Sequence, residues 1–156
     1  MPEYTAVINW TRQGAKFSRD QYDPGHRVSL SGGTTVDFSS APEFRGDAAK
    51  VNPEQAFVAA LSSCHMLTFL ALVARRGFVV ESYCDEAVGT LARNEDGRLA
   101  MTDVVLRPQV VFAADKAPHR AGLAEIHHRA HRHCFIANSV LTRVVVQDRS
   151  ELPEQA

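Results

Sequence analysis

A run of twenty residues without a formal charge, residues 55–74, constrains this chain of 156 residues more than any other feature. Its flanks carry helix signals. Asn52 is a suitable N-cap, Pro53 fits the first helical position where its missing N–H is no loss, and Glu54 suits the positive end of the helix dipole. Arg75 and Arg76 place cations in the last turn, and Gly77 can close it with a left-handed cap. The run approaches the roughly 20 residues that cross a bilayer. Gln55, Ser62, Ser63, His65, Thr68 and five alanines dilute its apolar character, so the reading is a buried core helix and no membrane span. A helix apolar on most sides must be covered on most sides. One small domain has difficulty supplying that cover, which points to a dimer.

The segments around the helix read mostly as strands. Residues 4–10 are rich in β-branched and aromatic side chains, and residues 15–21 are expected to return beside them. Asp23-Pro24-Gly25 marks a turn. Residues 26–30 and 34–39 are expected to pair across a Gly32-Gly33 hairpin turn, with a loop over 40–51. Beyond the helix, residues 78–92 and 99–112 read as two long strands around Asn94-Glu95-Asp96-Gly97, residues 118–133 as a second helix, and residues 141–148 as a closing strand before a frayed tail. This order predicts a single domain over 1–156 of α+β class with antiparallel pairing.

Charge is nearly balanced, at a formal net of -1, and no basic block appears, so nucleic-acid binding is not expected. Met1-Pro2-Glu3-Tyr4 has no basic leader, and the expected compartment is the cytoplasm. Three cysteines in a cytosolic chain point to free, catalytic or metal-binding thiols before structural disulfides.

Two of these cysteines have unusual neighbours. Cys64 lies inside the uncharged run, preceded by Ser62-Ser63 and followed by His65. A buried apolar thiol is usually inert, and one near cationic groups can be a nucleophile, so the residues alone leave Cys64 open between core thiol and reactive thiol. His65 points about 100° away from Cys64 on a helix and is no ready-made base for it. Cys134 closes a stretch containing His127, His128, His131 and His133. On a helix His127, His131 and Cys134 share one face, a permissive set for zinc, and the alternative is a solvated or interfacial histidine surface. Cys84 is expected to be a packing residue in a strand.

At these positions the chain resembles the OsmC/Ohr family of organic hydroperoxide reductases. The resemblance rests on Asn52-Pro53-Glu54-Gln55, on Cys64 ten positions after Glu54, on Cys134 followed by Asn138-Ser139 and a strand, and on the order of elements. It implies antiparallel sheets around a long central helix in an intertwined homodimer, with active sites at the subunit interface. It also implies roles: Cys64 as peroxidatic thiolate, Cys134 as resolving cysteine, and Glu54 as the carboxylate that holds a catalytic arginine. A guanidinium favours a thiolate beside it. Two candidates match the family's two branches: Arg45, in the loop before the helix, is preferred to Arg19, because a loop can aim its side chain into a site. On one straight helix Glu54 and Cys64 are about 15 Å apart along the axis, so a long arginine, a bend or a partner chain must bridge them. Phe135, where many relatives carry proline, and His65-Met66 mark a divergent branch.

The implied activity is reduction of organic hydroperoxides without a metal or organic cofactor, with electrons returned by an external dithiol of lipoyl or small-thiol type. An apolar pocket favours alkyl or fatty-acid hydroperoxides. The competing expectations are a non-catalytic dimer of this fold that binds a small molecule or a metal, and a thiol redox sensor that passes its disulfide to a partner.

Overall fold

The protein is described by a computed structural model covering residues 1–14 and 17–152. The chain forms two compact units, Met1–Ala56 and Phe57–Ala156.

The first unit is built on three antiparallel strands in sequence order, β1 (Ala6–Asn9), β2 (His26–Leu30) and β3 (Thr35–Phe38). Ala6 faces Leu30 across the first pair and Val28 faces Val36 across the second. The hairpin between β2 and β3 turns at Gly32 and Gly33, whose φ angles of 84° and 83° suit residues without a Cβ. The returning strand expected over 15–21 is not formed. Ala15 and Lys16 lie outside the described residues, and residues 17–22 make a turn in which the Gln21 and Tyr22 N–H groups both donate to the Ser18 carbonyl, at 3.0 and 3.1 Å. Ser18-Arg19-Asp20-Gln21 has no apolar alternation to hold a strand against a sheet face.

Helix α1 (Pro53–Arg75) starts and stops as its flanks dictate. The Asn52 carboxamide oxygen accepts from the Gln55 N–H at 2.8 Å, and the Gln55 side-chain oxygen accepts from the Asn52 N–H at 3.2 Å. This reciprocal capping box satisfies two donors that a helix start leaves free. Only Leu61, His65, Phe69 and Val73 are fully buried along it, a stripe at every fourth residue.

In the second unit the two long strands expected after α1 are each broken in two: β4 (Val80–Asp85), β5 (Val88–Arg93), β6 (Leu99–Leu106) and β7 (Pro108–Phe112). β4 pairs with β7, and β5 pairs with β6. The break has a local cause. Asp85 turns its carboxylate onto the Arg107 N–H at 2.6 Å, and Pro108 has no N–H to give to a ladder. Helix α2 (Arg120–His133) follows, capped by the His119 ring, which accepts from the Gly122 N–H at 2.8 Å. The closing strand β8 (Arg143–Val146) lies parallel to β6, so the wholly antiparallel pairing expected from sequence fails at this one pair.

The core has two parts. Phe69 and Val73 of α1, Val110 and Phe112 of β7, and Leu123, Ile126 and Ala130 of α2 form one. Leu61 of α1 with Val104 and Leu106 of β6 form the other. Strand β5 comes close to α1 at Gly89, where an added Cβ would sit within 2.5 Å of the Val58 Cγ2 and against the Met101 methyl. Gly89→Ala is therefore expected to cost about 1–3 kcal/mol through overpacking, read as a lower urea midpoint at unchanged slope.

Candidate active site

The two cysteines singled out in the sequence reach each other by different routes. Cys64 sits half-buried on α1, one residue before His65 of the buried stripe. Cys134 is the C-cap of α2, with φ −72° and ψ 112°, and is only 1% exposed. Its thiol is pushed up to about 11, first by burial and then by the neighbouring Cys64 side chain. Both thiols are free. The Ala137 N–H, from the one-turn helix Ala137–Ser139, donates to the Cys134 sulfur at 3.5 Å.

Cys84 departs from its expected packing role, being exposed on β4. Of the helical set His127, His131 and Cys134, His127 and Cys134 are buried and His131 is half-buried, and Cys134 ends α2 as its C-cap. His128 and His133 are exposed, and His127 turns inward to 4% exposure. Among the described residues no three His, Cys, Asp or Glu side chains are grouped to hold a metal ion.

Sequence reasoning missed what His127 does. The His65 Nε2 lies 3.1 Å from the His127 Nδ1, with the rings stacked 4° from parallel at 5.5 Å between centroids. The far side of His127 stacks on Phe69 at 4.4 Å, and its Nε2 lies 3.7 Å from the Asp148 carboxylate, longer than a direct hydrogen bond. That carboxylate assigns the tautomers: His127 carries its proton on Nε2, leaving Nδ1 to accept from the His65 Nε2–H. Burial, followed by the neighbouring His127 and His131, lowers the His65 pKa to about 4. The signal in the sequence was His65 itself, falling in step with Leu61, Phe69 and Val73 at helical spacing. A polar group in such a stripe is buried and needs a partner.

The charged candidates are all held in the first unit. Arg45 has φ 65°, the one non-glycine residue with positive φ among the described residues, and its N–H donates to the Pro42 carbonyl at 3.0 Å to close the turn Pro42–Phe44. Its guanidinium donates to the Arg19 carbonyl and lies over the Tyr22 ring at 5.6 Å. The loop thus brings Arg45 and Arg19 together. It does not bring either to Glu54, whose Oε2 is buried without a hydrogen-bond partner. Because α1 is continuous from Pro53 to Arg75, the axial separation of about 15 Å between Glu54 and Cys64 stands.

A profile of the family described as OsmC-like protein matches residues 46–147. Among solved structures, an OsmC-like protein of unknown function from Vibrio cholerae is 45% identical, with a TM-score of 0.92 over 95% of this chain and 99% of that one. An organic hydroperoxide resistance protein OsmC from Legionella pneumophila is 16% identical with a TM-score of 0.69 over 97% and 100%, a likeness of fold. The uncharacterized protein YmaD of Bacillus subtilis is 25% identical over 129 residues, 80% of this chain and 85% of its own length.

The buried His65 has a measurable consequence. Its folded pKa of about 4 lies below the ordinary 6.5, so between these values the unfolded chain binds the proton and the folded chain resists it. Stability from this group is complete above pH about 6.5 and falls by about 3 kcal/mol as pH drops to 4. His65→Gln, which cannot titrate, is expected to remove this loss from the pH dependence of urea unfolding.

Proposed function

The chain belongs to the OsmC-like family and shares its α+β fold, and from that premise we propose that it is a cysteine-based peroxidase for organic hydroperoxides. The observation that carries this reading is that Cys64 and Cys134, seventy positions apart in the sequence and both free, are neighbours whose thiols influence each other. Structural neighbours that are organic hydroperoxide resistance proteins support it at the level of the family.

In the proposed cycle the Cys64 thiolate attacks one peroxide oxygen, the O–O bond breaks, and the alcohol leaves with a proton. Cys64 is then a sulfenic acid. Cys134 attacks the Cys64 sulfur, and the S–OH bond breaks. The proton that Cys134 held leaves with the hydroxide as water, and a disulfide remains. An external dithiol of lipoyl or small-thiol type reduces that disulfide and is itself oxidised. No metal or organic cofactor enters these steps. The raised pKa of Cys134 suits this order, since a thiol that keeps its proton until attack supplies what the leaving hydroxide needs. Glu54, with its unpartnered buried oxygen, is assigned the orienting of an arginine, Arg45 in preference to Arg19. Arg45 is already held in a left-handed backbone conformation of the kind that functional loops store.

The working form is proposed to be a homodimer in the cytoplasm, with the whole chain acting as one domain. Support for the dimer comes from α1, where only one stripe is buried and Leu67, three residues beyond Cys64, is 61% exposed. Light scattering on the purified protein should give 34.4 kDa, twice the 17.2 kDa of one chain. A single species at the lower mass would sink the dimer.

Stopped-flow oxidation with cumene hydroperoxide tests the chemistry. Cys64→Ser is expected to lose at least about a hundredfold in peroxide reduction, as removal of an essential nucleophile does. Cys134→Ser should still be oxidised once at Cys64 and then accumulate a sulfenic acid that dimedone traps. Unchanged turnover in Cys64→Ser would overturn the peroxidase. Single oxidation of the parent without turnover under excess dithiol would favour the redox-sensor reading.

A further inference from the structure

The contact between His65 and His127 takes no part in the thiol chemistry above, and its placement gives it a different task. His65 directly follows Cys64 on α1, and His127 lies on α2, which Cys134 caps. The two rings are 1% and 4% exposed, joined at 3.1 Å. The Asp148 carboxylate faces the outer edge of His127 at 3.7 Å, and is fixed by the Ser150 N–H at 3.0 Å, the Ser150 hydroxyl and Arg120. The same Ser150 hydroxyl accepts from the Val110 N–H of β7 at 2.9 Å. The hydrogen bond between the rings ties α1 to α2, and the charge of Asp148, anchored to β7 through Ser150, faces it.

Beside that bond the contact between these helices is apolar, Phe69 and Val73 against Leu123, Ile126 and Ala130, with one exposed ion pair at the far end where Arg76, just after α1, donates to Glu125 at 2.7 Å. Apolar burial is non-directional, and an exposed ion pair fixes little. A hydrogen bond between two rings is directional. Disulfide geometry is equally demanding, since Cα atoms must come within roughly 7 Å with their Cβ vectors converging. A core chosen for stability alone gains nothing from a histidine here, because the His65 Nδ1 is buried with no partner and such an atom is destabilising.

We infer that the His65–His127 hydrogen bond, faced by the Asp148 carboxylate, is a register lock between α1 and α2 that holds Cys64 in disulfide-forming position against Cys134. His65 and His127 are positioning residues, acting through the two sulfurs and touching no substrate. The inference rests on the dithiol reading above, and makes no use of peroxide.

The test is the equilibrium of the reduced chain with oxidised glutathione, in a Cys84→Ser background to remove the exposed third thiol. Two protein thiols and one oxidised glutathione give one protein disulfide and two reduced glutathiones, read by alkylation and mass spectrometry. His65→Phe fills the ring's space and cannot donate; it is expected to lower the disulfide equilibrium constant about tenfold, a rise of about 30 mV in potential. His65→Gln places an amide where the Nε2 was and should stay within about threefold of the parent. A His65→Phe constant equal to the parent's, or a His65→Gln constant as low as that of His65→Phe, overturns the lock. If His65→Phe does not fold, His65→Asn replaces it, being too short to reach His127; it must fall about tenfold below His65→Gln, and equality overturns the lock. A parent chain that closes the disulfide with this His65 dependence but consumes no hydroperoxide overturns the peroxidase and supports the lock.

Discussion

Along α1 every fourth residue, Leu61, His65, Phe69 and Val73, has to leave water, and the second unit is organised around that requirement. Complete burial of a leucine, valine or phenylalanine is worth about 1.5–3 kcal/mol, so three such residues outweigh any single polar contact nearby. β6 covers the stripe at Leu61, while β7 and α2 cover it at Phe69 and Val73. The placement of both thiols follows. Cys64 rides on the flank of the stripe, and Cys134 marks where α2, having covered it, must stop.

That stripe was legible as a helix because the absence of charge, the Asn52-Pro53 start and the Arg75-Arg76-Gly77 stop all agree. The β2–β3 hairpin was legible for a similar reason, Gly32-Gly33 between two β-rich runs. The strand breaks were not. They depend on Asp85 reaching the Arg107 N–H, a pairing twenty-two residues apart that no local pattern announces, although Pro108 was a visible warning. The parallel pairing of β8 with β6 was hidden in the same way, because sequence periodicity states which face a strand buries and not which neighbour it takes.

In the candidate site, the sequence singled out two neighbouring thiols, and it placed His127 on the helix that leads to Cys134. It did not announce that His127 finds His65 across the core. Asp148 went unnoticed because its importance lies in facing a buried ring from the end of the chain. Arg45 shows the opposite case. It was picked out as a loop arginine, and its left-handed backbone and stacking on Tyr22 make it a shaped residue, its guanidinium spent on the Arg19 carbonyl.

The near-complete burial of Cys134 bears on the second half of the proposed cycle. An incoming thiolate must strike the sulfur it can reach, which is that of half-buried Cys64, and so expel Cys134 from the disulfide. Departing thiolates leave more slowly the more basic they are, and Cys134 is basic for a thiol. The backbone N–H groups of Ala137 and Ile136 are the ones that favour the charge developing on it among the described residues. The burial that protects the closed bond from adventitious reductants therefore also makes reopening it the slower half, and gives the advantage to a dithiol whose second sulfur can complete the exchange before Cys134 returns.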